Sequence, residues 1–155
     1  MSDGLIKERL MVKRILSAEI ETVFEAWTHP EVISQWFGPE GFEVSKSDID
    51  LSVGGKYLIE MHSPDGNSIK HFGEYLEIAH PNRLIFTWEL DNQQCQGSEQ
   101  LTTTTIVTIN LMAIGRNKTE LNLLHEKLPT QQAYDGHQFG WVSSLDCLEQ
   151  FLSSN

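Results

Sequence analysis

The sequence is short of the features that announce a function. Its only cysteines, Cys95 and Cys147, lie far apart and outside any C-x-x-C spacing, so neither a disulfide framework nor a thiolate zinc site is implied. No run of about 18 apolar residues is present to cross a bilayer as a helix. The leading stretch MSDGLIKERLMVKRIL scatters charges among its apolar residues and lacks the unbroken apolar segment of a secretory signal, so the expected location is cytoplasmic. Basic residues are scarce: 11 Lys and Arg stand against 22 Asp and Glu, a formal charge of −11. That excess repels phosphate backbones and anionic lipid surfaces alike, which excludes nucleic acid and membrane as partners. Repeats, low-complexity tracts and linkers are missing, and 155 residues make about one domain, here residues 1–155.

Catalytic motifs are missing as well. Six histidines, His29, His62, His71, His80, His125 and His137, show no H-x-E-x-H or H-E-x-x-H spacing, so neither a metal site nor a cofactor is expected. There is no G-x-S-x-G elbow, and Cys147 falls on a helix flank, where a thiol packs more often than it reacts.

What the chain does have is a hydrophobic period that changes along its length. Leu10 to Leu16 mix apolar and basic positions as a strand with one wet face does. After Ser17, a candidate N-cap with Glu19 and Glu21 in the first turn, Ile20, Val23, Phe24 and Trp27 recur at helical spacing. Pro30 disfavours helix at His29 and suits the first position of a second helix, which carries Val32, Ile33, Trp36 and Phe37 before Gly38 and Pro39 end it. Strand-like alternation follows over Phe42 to Leu51, Lys56 to His62, Ser68 to Ile78, Arg83 to Leu90, Thr103 to Ala113 and Thr119 to Glu126. Asp91 to Thr102, DNQQCQGSEQLT, reads as a polar loop longer than a hairpin requires, the length of a functional or a mobile segment. Pro129 and Thr130 then introduce a long helix to about Ser153, with Tyr134, Trp141, Leu145, Leu148 and Leu152 on one arc and His137 and Gln138 at its edges. Gly136 and Gly140 inside that helix cost about 1 kcal/mol each relative to alanine, so they mark a kink, a close backbone approach or a space beside the helix.

The order predicts an α+β fold in which a curved seven-stranded antiparallel sheet wraps a long C-terminal helix, with two short helices after the first strand. Strand parity puts Tyr57, Ile59 and Met61, then Leu84, Phe86, Trp88 and Leu90, then Val107, Ile109 and Leu111, then Leu121, Leu123 and His125 on the concave face. These residues are core or pocket wall, and the alternation is the same for both. Glu60 falls on the face opposite Tyr57, and Glu74 and Glu77 read as outward charges rather than a carboxylate pair.

Four ordered blocks then resemble one family. WTHPEVISQWFGP, Trp27 to Pro39, resembles the W-x-x-P-E-x-x-x-x-W-x-G-P signature of small proteins related to the C-terminal domain of the heat-shock-protein-90 ATPase activator, within the START/Bet v 1-like (SRPBCC) helix-grip superfamily. DLSVGGKY is similar to its D-x-R-x-G-G-x-aromatic block, GEYLEIAHPNRLIFTW to its G-x-Y-x-E-x-x-P-x-R-L-x-F-T-W block, and HQFGWVSSLDCLEQFL to its H-x-x-G-W-x-x-x-L-x-x-L helix. The likeness runs from about Leu10 to Leu152. Ser52 stands where the pattern has an arginine, so whatever ion pair or ligand contact that arginine makes does not carry over.

The resemblance implies a cavity between the long helix and the sheet for an apolar or amphipathic small molecule. It leaves function open, because superfamily members range from carriers and sensors to cyclases and hydrolases. In this reading Tyr57, Ile59, Phe86, Trp88, Trp141 and Leu145 form the walls, with His125, His137 and Gln138 as orienting polar groups. Trp27 and Trp36 wedge the two short helices in place, and Trp88 and Trp141 project toward the gap. The resemblance also implies contact with a chaperone, ranked second because the activator that names the family has an additional N-terminal domain for which 155 residues leave no room. A homodimer is a further extrapolation from the family. The third reading is acid and base chemistry in the cavity by His125 and His137, with Tyr57 or Tyr75 as a donor.

Overall fold

A computed structural model of the protein describes residues 9–91 and 101–153. In chain order the elements are β1 (Arg9–Leu16), α1 (Ile20–Thr28), α2 (Pro30–Trp36), β2 (Glu43–Ile49), β3 (Lys56–His62), β4 (Ser68–Ala79), β5 (Arg83–Asp91), β6 (Leu101–Gly115), β7 (Lys118–Glu126) and α3 (Gln131–Ser153). The strands form one seven-stranded sheet in the order β1-β7-β6-β5-β4-β3-β2. Every pairing is antiparallel. From β2 to β7 the sheet is a simple meander, and β1 joins it beside the last strand. The α1–α2 corner therefore carries the chain from one edge of the sheet to the other. Register shifts in the β2–β3, β4–β5, β5–β6 and β6–β7 pairings add the local twist and bend that curl the sheet around α3. This is the expected helix-grip arrangement.

The helix is held by two kinds of contact. Trp141, Leu145, Leu148 and Leu152 recur at helical spacing on its buried face, and Leu145 and Leu148 are wholly excluded from solvent. At the β1 edge the Arg14 guanidinium donates to Asp146 Oδ1 at 2.8 Å, to Glu149 Oε1 at 3.5 Å and to the Val142 carbonyl at 3.3 Å. Arg14 therefore fixes the outer flank of α3 against the first strand.

Some boundaries differ from the sequence reading, each for a local reason. Helix α1 has Glu19 rather than Ser17 at its N-cap. The Thr119 hydroxyl donates to the Ala18 carbonyl at 2.8 Å and holds that backbone against β7. Strand β2 stops at Ile49 because Asp50 to Gly55 close into a turn: the Ser52 amide donates to the Asp50 carbonyl, the Gly55 amide to the Ser52 carbonyl, and the Ser52 hydroxyl to Asp50 Oδ1. At the polar loop, Asp91 belongs to β5 and Leu101 and Thr102 to β6. The rest of that loop, including Cys95, lies outside the described residues. Helix α3 runs unbroken through Gly136 and Gly140, and a Cβ placed on either would meet nothing within 4 Å. Of the three expected meanings of those glycines, the space beside the helix is the one observed.

Gly73 is among the glycines elsewhere that contact requires. At Gly73 of β4 a Cβ would collide with the Thr87 carbonyl oxygen of β5. The same residue accepts the Tyr57 hydroxyl at 2.6 Å on its carbonyl and the Glu74 amide at 2.9 Å on its own hydroxyl. We predict that Gly73→Ala lowers stability by about 2 kcal/mol, the range of core overpacking. Denaturant unfolding checks it; an unchanged midpoint would mean that β4 and β5 can separate there without penalty.

Candidate functional site

A cavity of about 240 Å³ lies between the N-terminal half of α3, the turn after α2 and the concave face of β3, β4 and β5. Phe37, Phe42, Met61, Ile69, Trp88, Leu90 and Trp141 give it an apolar and largely aromatic wall. Gly136 and Gly140 form the helix side, where larger residues would fill it. Phe37, the residue just past α2, touches Trp88, Trp141 and His71 with ring centroids 5.8–6.3 Å apart. The helical corner thus closes one side of the cavity. Behind Phe37 the short helices are locked by their own tryptophans: Trp27 and Trp36 meet edge to face at 4.9 Å, and the Trp36 indole donates to the Ala26 carbonyl at 2.8 Å.

The floor is a saturated hydrogen-bond network. Trp88 of β5 and Trp141 of α3 pack at 4.9 Å, and each donates its indole N–H across the gap to a histidine on the other layer. Trp141 Nε1 bonds His125 Nδ1 of β7 at 3.0 Å, and Trp88 Nε1 bonds His137 Nε2 of α3 at 3.1 Å. Because an indole only donates, both accepting nitrogens are unprotonated, and the tautomers follow. His137 Nδ1–H donates to the Ala133 carbonyl, and His125 Nε2–H donates to Thr105 Oγ1, each at 2.8 Å. The Thr105 hydroxyl in turn donates a hydrogen bond to the Trp88 carbonyl at 2.8 Å. Burial holds His125 well below the ordinary histidine range, with the nearby His137 adding to the effect.

His71 is the exception. It sits on the concave face of β4, in register between Ile59 of β3 and Leu90 of β5, with its ring 4.6 Å from Trp88. It is 6 % exposed and lines the cavity, and among the described residues neither ring nitrogen has a hydrogen-bond partner. Burial, assisted by His137, lowers its pKa to about 3. Leaving such a group unsatisfied costs about 1–3 kcal/mol.

The residues singled out from sequence separate into layers. Trp88, His137 and Trp141 line the cavity, together with Met61 and Leu90 from the alternation pattern. Tyr57, Ile59 and Phe86 sit deeper, around a void of about 20 Å³. Burial raises the hydroxyl pKa of both Tyr57 and Tyr75, and Tyr57 already spends its proton on Thr87. His125 and Leu145 are fully buried, and Gln138 is exposed on the outer side of α3. Sequence reasoning passed over His71, Phe42 and Ile69. The signal for His71 was available, since it has the same strand parity as the inward Tyr75 four residues on. Among the described residues no group of three His, Cys, Asp or Glu comes together as a metal site, and no helix is long and apolar enough to cross a membrane.

Two outcomes follow from this geometry. Gly136→Ala should raise stability by up to about 1 kcal/mol, since it gains helix propensity and meets no neighbour; a loss on denaturant unfolding would contradict the open space. His71 gives a pH dependence. Well above pH 6.5 the folded and unfolded rings are both neutral and stability is complete. As pH falls from 6.5 toward about 3 the unfolded chain binds a proton that the folded one refuses. Stability then declines by about 1.4 kcal/mol per pH unit for each such histidine, with His125 adding the same sign. His71→Phe should lose less stability than wild type between pH 6.5 and 5; parallel losses would show that His71 is not held neutral.

Comparison with known proteins agrees with this architecture. The model of the family described as Activator of Hsp90 ATPase homolog 1-like protein matches residues 17–153. Among solved structures, protein CV1439 from Chromobacterium violaceum is 27% identical with a TM-score of 0.81, over 95% of this chain and 98% of that one. Protein NE0264 from Nitrosomonas europaea is 25% identical with a TM-score of 0.77, over 97% of each chain. The AHSA1 (SPO3351) protein from Silicibacter pomeroyi, 24% identical, has a TM-score of 0.79 over 94% of this chain and 97% of that one. None of the curated proteins matches. With a family match over nearly its whole length and the fold to go with it, the chain belongs to the Activator of Hsp90 ATPase homolog 1-like protein family.

Proposed function

We propose that this protein binds a small apolar or amphipathic molecule in the cavity between α3 and the sheet. The observation that carries the reading is the pair Gly136 and Gly140. Both weaken the helix that organises the fold, neither is demanded by a neighbour, and both border the open volume. A sequence selected for packing alone would place alanine there. An engineered apolar cavity of about 150 Å³ takes up benzene, so by proportion this one suits roughly ten non-hydrogen atoms. The ligand class is that of a one- or two-ring aromatic or a short chain.

Acid and base catalysis by His125 and His137 is less well supported, because each ring has both nitrogens engaged in hydrogen bonds. Contact with the Hsp90 chaperone is the second reading, and the family description is what favours it.

The test is native mass spectrometry of freshly purified protein, followed by organic extraction of whatever is released. We expect a bound apolar species in the wild type that is lost in Gly140→Leu, whose side chain fills the cavity from the helix side. Equal retention in the variant would remove the cavity from consideration. An apo mass, with nucleotide-dependent capture of Hsp90 that is unchanged in Gly140→Leu, would put the chaperone reading first.

A further inference from the structure

Within the cavity, the polar inventory narrows the chemistry of the occupant. Among the described residues that line it there is no Lys, Arg, Asp or Glu, so nothing is present to neutralise a charged ligand group. His137 also borders the space, but its nitrogens are held by Trp88 and the Ala133 carbonyl. His71 differs in that its ring lines the cavity wall while its two nitrogens are buried with no partner among the described residues. Among the described residues the other unpartnered buried side-chain nitrogen is Trp27 Nε1, and Trp27 borders the deeper void of about 20 Å³, where there is room for no more than a water molecule. Gln132 and Ser144 also line the cavity from α3, and among its described lining residues His71 is the one whose polar atoms are buried without a partner.

Two aromatic rings flank the imidazole. Trp88 lies against it at 4.6 Å with the planes 33° apart, and Phe37 meets it nearly edge-on, at 5.8 Å and 76°. A buried polar side chain without a partner calls for an explanation, since a phenylalanine or leucine on the same strand would pack without the penalty.

Building on the cavity-binding reading above, we infer that the ligand is a neutral aromatic molecule of one or two rings bearing a hydroxyl group, which hydrogen-bonds the His71 imidazole while its rings pack against Trp88, Trp141 and Phe37. A hydroxyl both donates and accepts, so it satisfies whichever nitrogen His71 presents when its ring turns about the Cβ–Cγ bond toward the ligand, in either tautomer. A carboxylate does not fit. The imidazole stays neutral at physiological pH, and an anion would enter an apolar space without a counter-charge.

Equilibrium dialysis of the full chain with 2-naphthol, naphthalene and 2-naphthoate tests this. These probes share one ring system and differ in the group offered to His71. We expect 2-naphthol to bind about tenfold more tightly than naphthalene, the worth of one buried hydrogen bond, and 2-naphthoate at least about tenfold more weakly than 2-naphthol. In His71→Phe naphthalene should bind as before and 2-naphthol should fall to its level. A naphthol preference that survives in His71→Phe, or naphthoate binding as tight as naphthol, overturns the assignment while leaving the cavity in place. Failure of all three probes on the wild type, or uptake unchanged in Gly140→Leu, overturns the cavity reading as well. A measurement that needs no variant is the ¹⁵N NMR shift of the His71 ring. It should move with 2-naphthol and stay nearly unchanged with naphthalene; equal shifts contradict the proposal.

Discussion

The structure depends on a reciprocal pair of hydrogen bonds across the gap between helix and sheet. Trp88 on the sheet donates to His137 on the helix, and Trp141 on the helix donates to His125 on the sheet. An indole pair packed at 4.9 Å fills the space between the two layers, and its polar edges are satisfied only at one spacing. A closer helix would drive the rings together. A more distant one would strand two donors and two acceptors in an apolar interior, a loss of about 1–3 kcal/mol for each unpaired group. The network therefore fixes the distance between helix and sheet.

Two environments follow from that spacing. Toward Leu145 and Leu148 the helix carries branched side chains and the interior closes up. Toward Gly136 and Gly140 it carries none, and the same separation leaves open volume. Phe37, delivered by the α1–α2 corner, sits where the two meet and borders both the large cavity and the small deep void. Within the stretch from Trp27 to Pro39, the edge-to-face pair Trp27 and Trp36 packs behind this ring.

Much of this was legible in the sequence, and what was not has a physical reason. Period changes and proline placement located all ten elements, since a half-buried strand and an amphipathic helix leave different apolar spacings. Trp88 and Trp141 could be singled out because large aromatic side chains of matching parity must meet across the layers. Tyr57 and Phe86 follow the strand alternation and Leu145 the helical arc, yet all three sit among deeply buried neighbours. Parity gives the face a residue is on and says nothing of how far along the strand the helix stops filling the space. Depth came from Gly136 and Gly140, whose meaning depends on whether a neighbour approaches. His71 was hidden by its residue type: among six histidines without ligand spacing, only its tertiary surroundings show that its nitrogens lack partners.

The position of β1 bears on how the chain reaches this state. Strands β2 to β7 pair with their sequence neighbours, so that part of the sheet assembles from local hairpins. The first strand made must wait for the last, because β1 pairs only with β7, and Arg14 of β1 then clasps Asp146 and Glu149 near the end of α3. Closing so long a loop is entropically slow and gains nothing until both partners exist. On a ribosome, the N-terminal strand would emerge early and remain an unpaired edge until nearly the whole chain had followed. Its sequence suits that wait: Arg9, Lys13 and Arg14 break up the apolar run with like charges, which discourages one nascent strand from pairing with another.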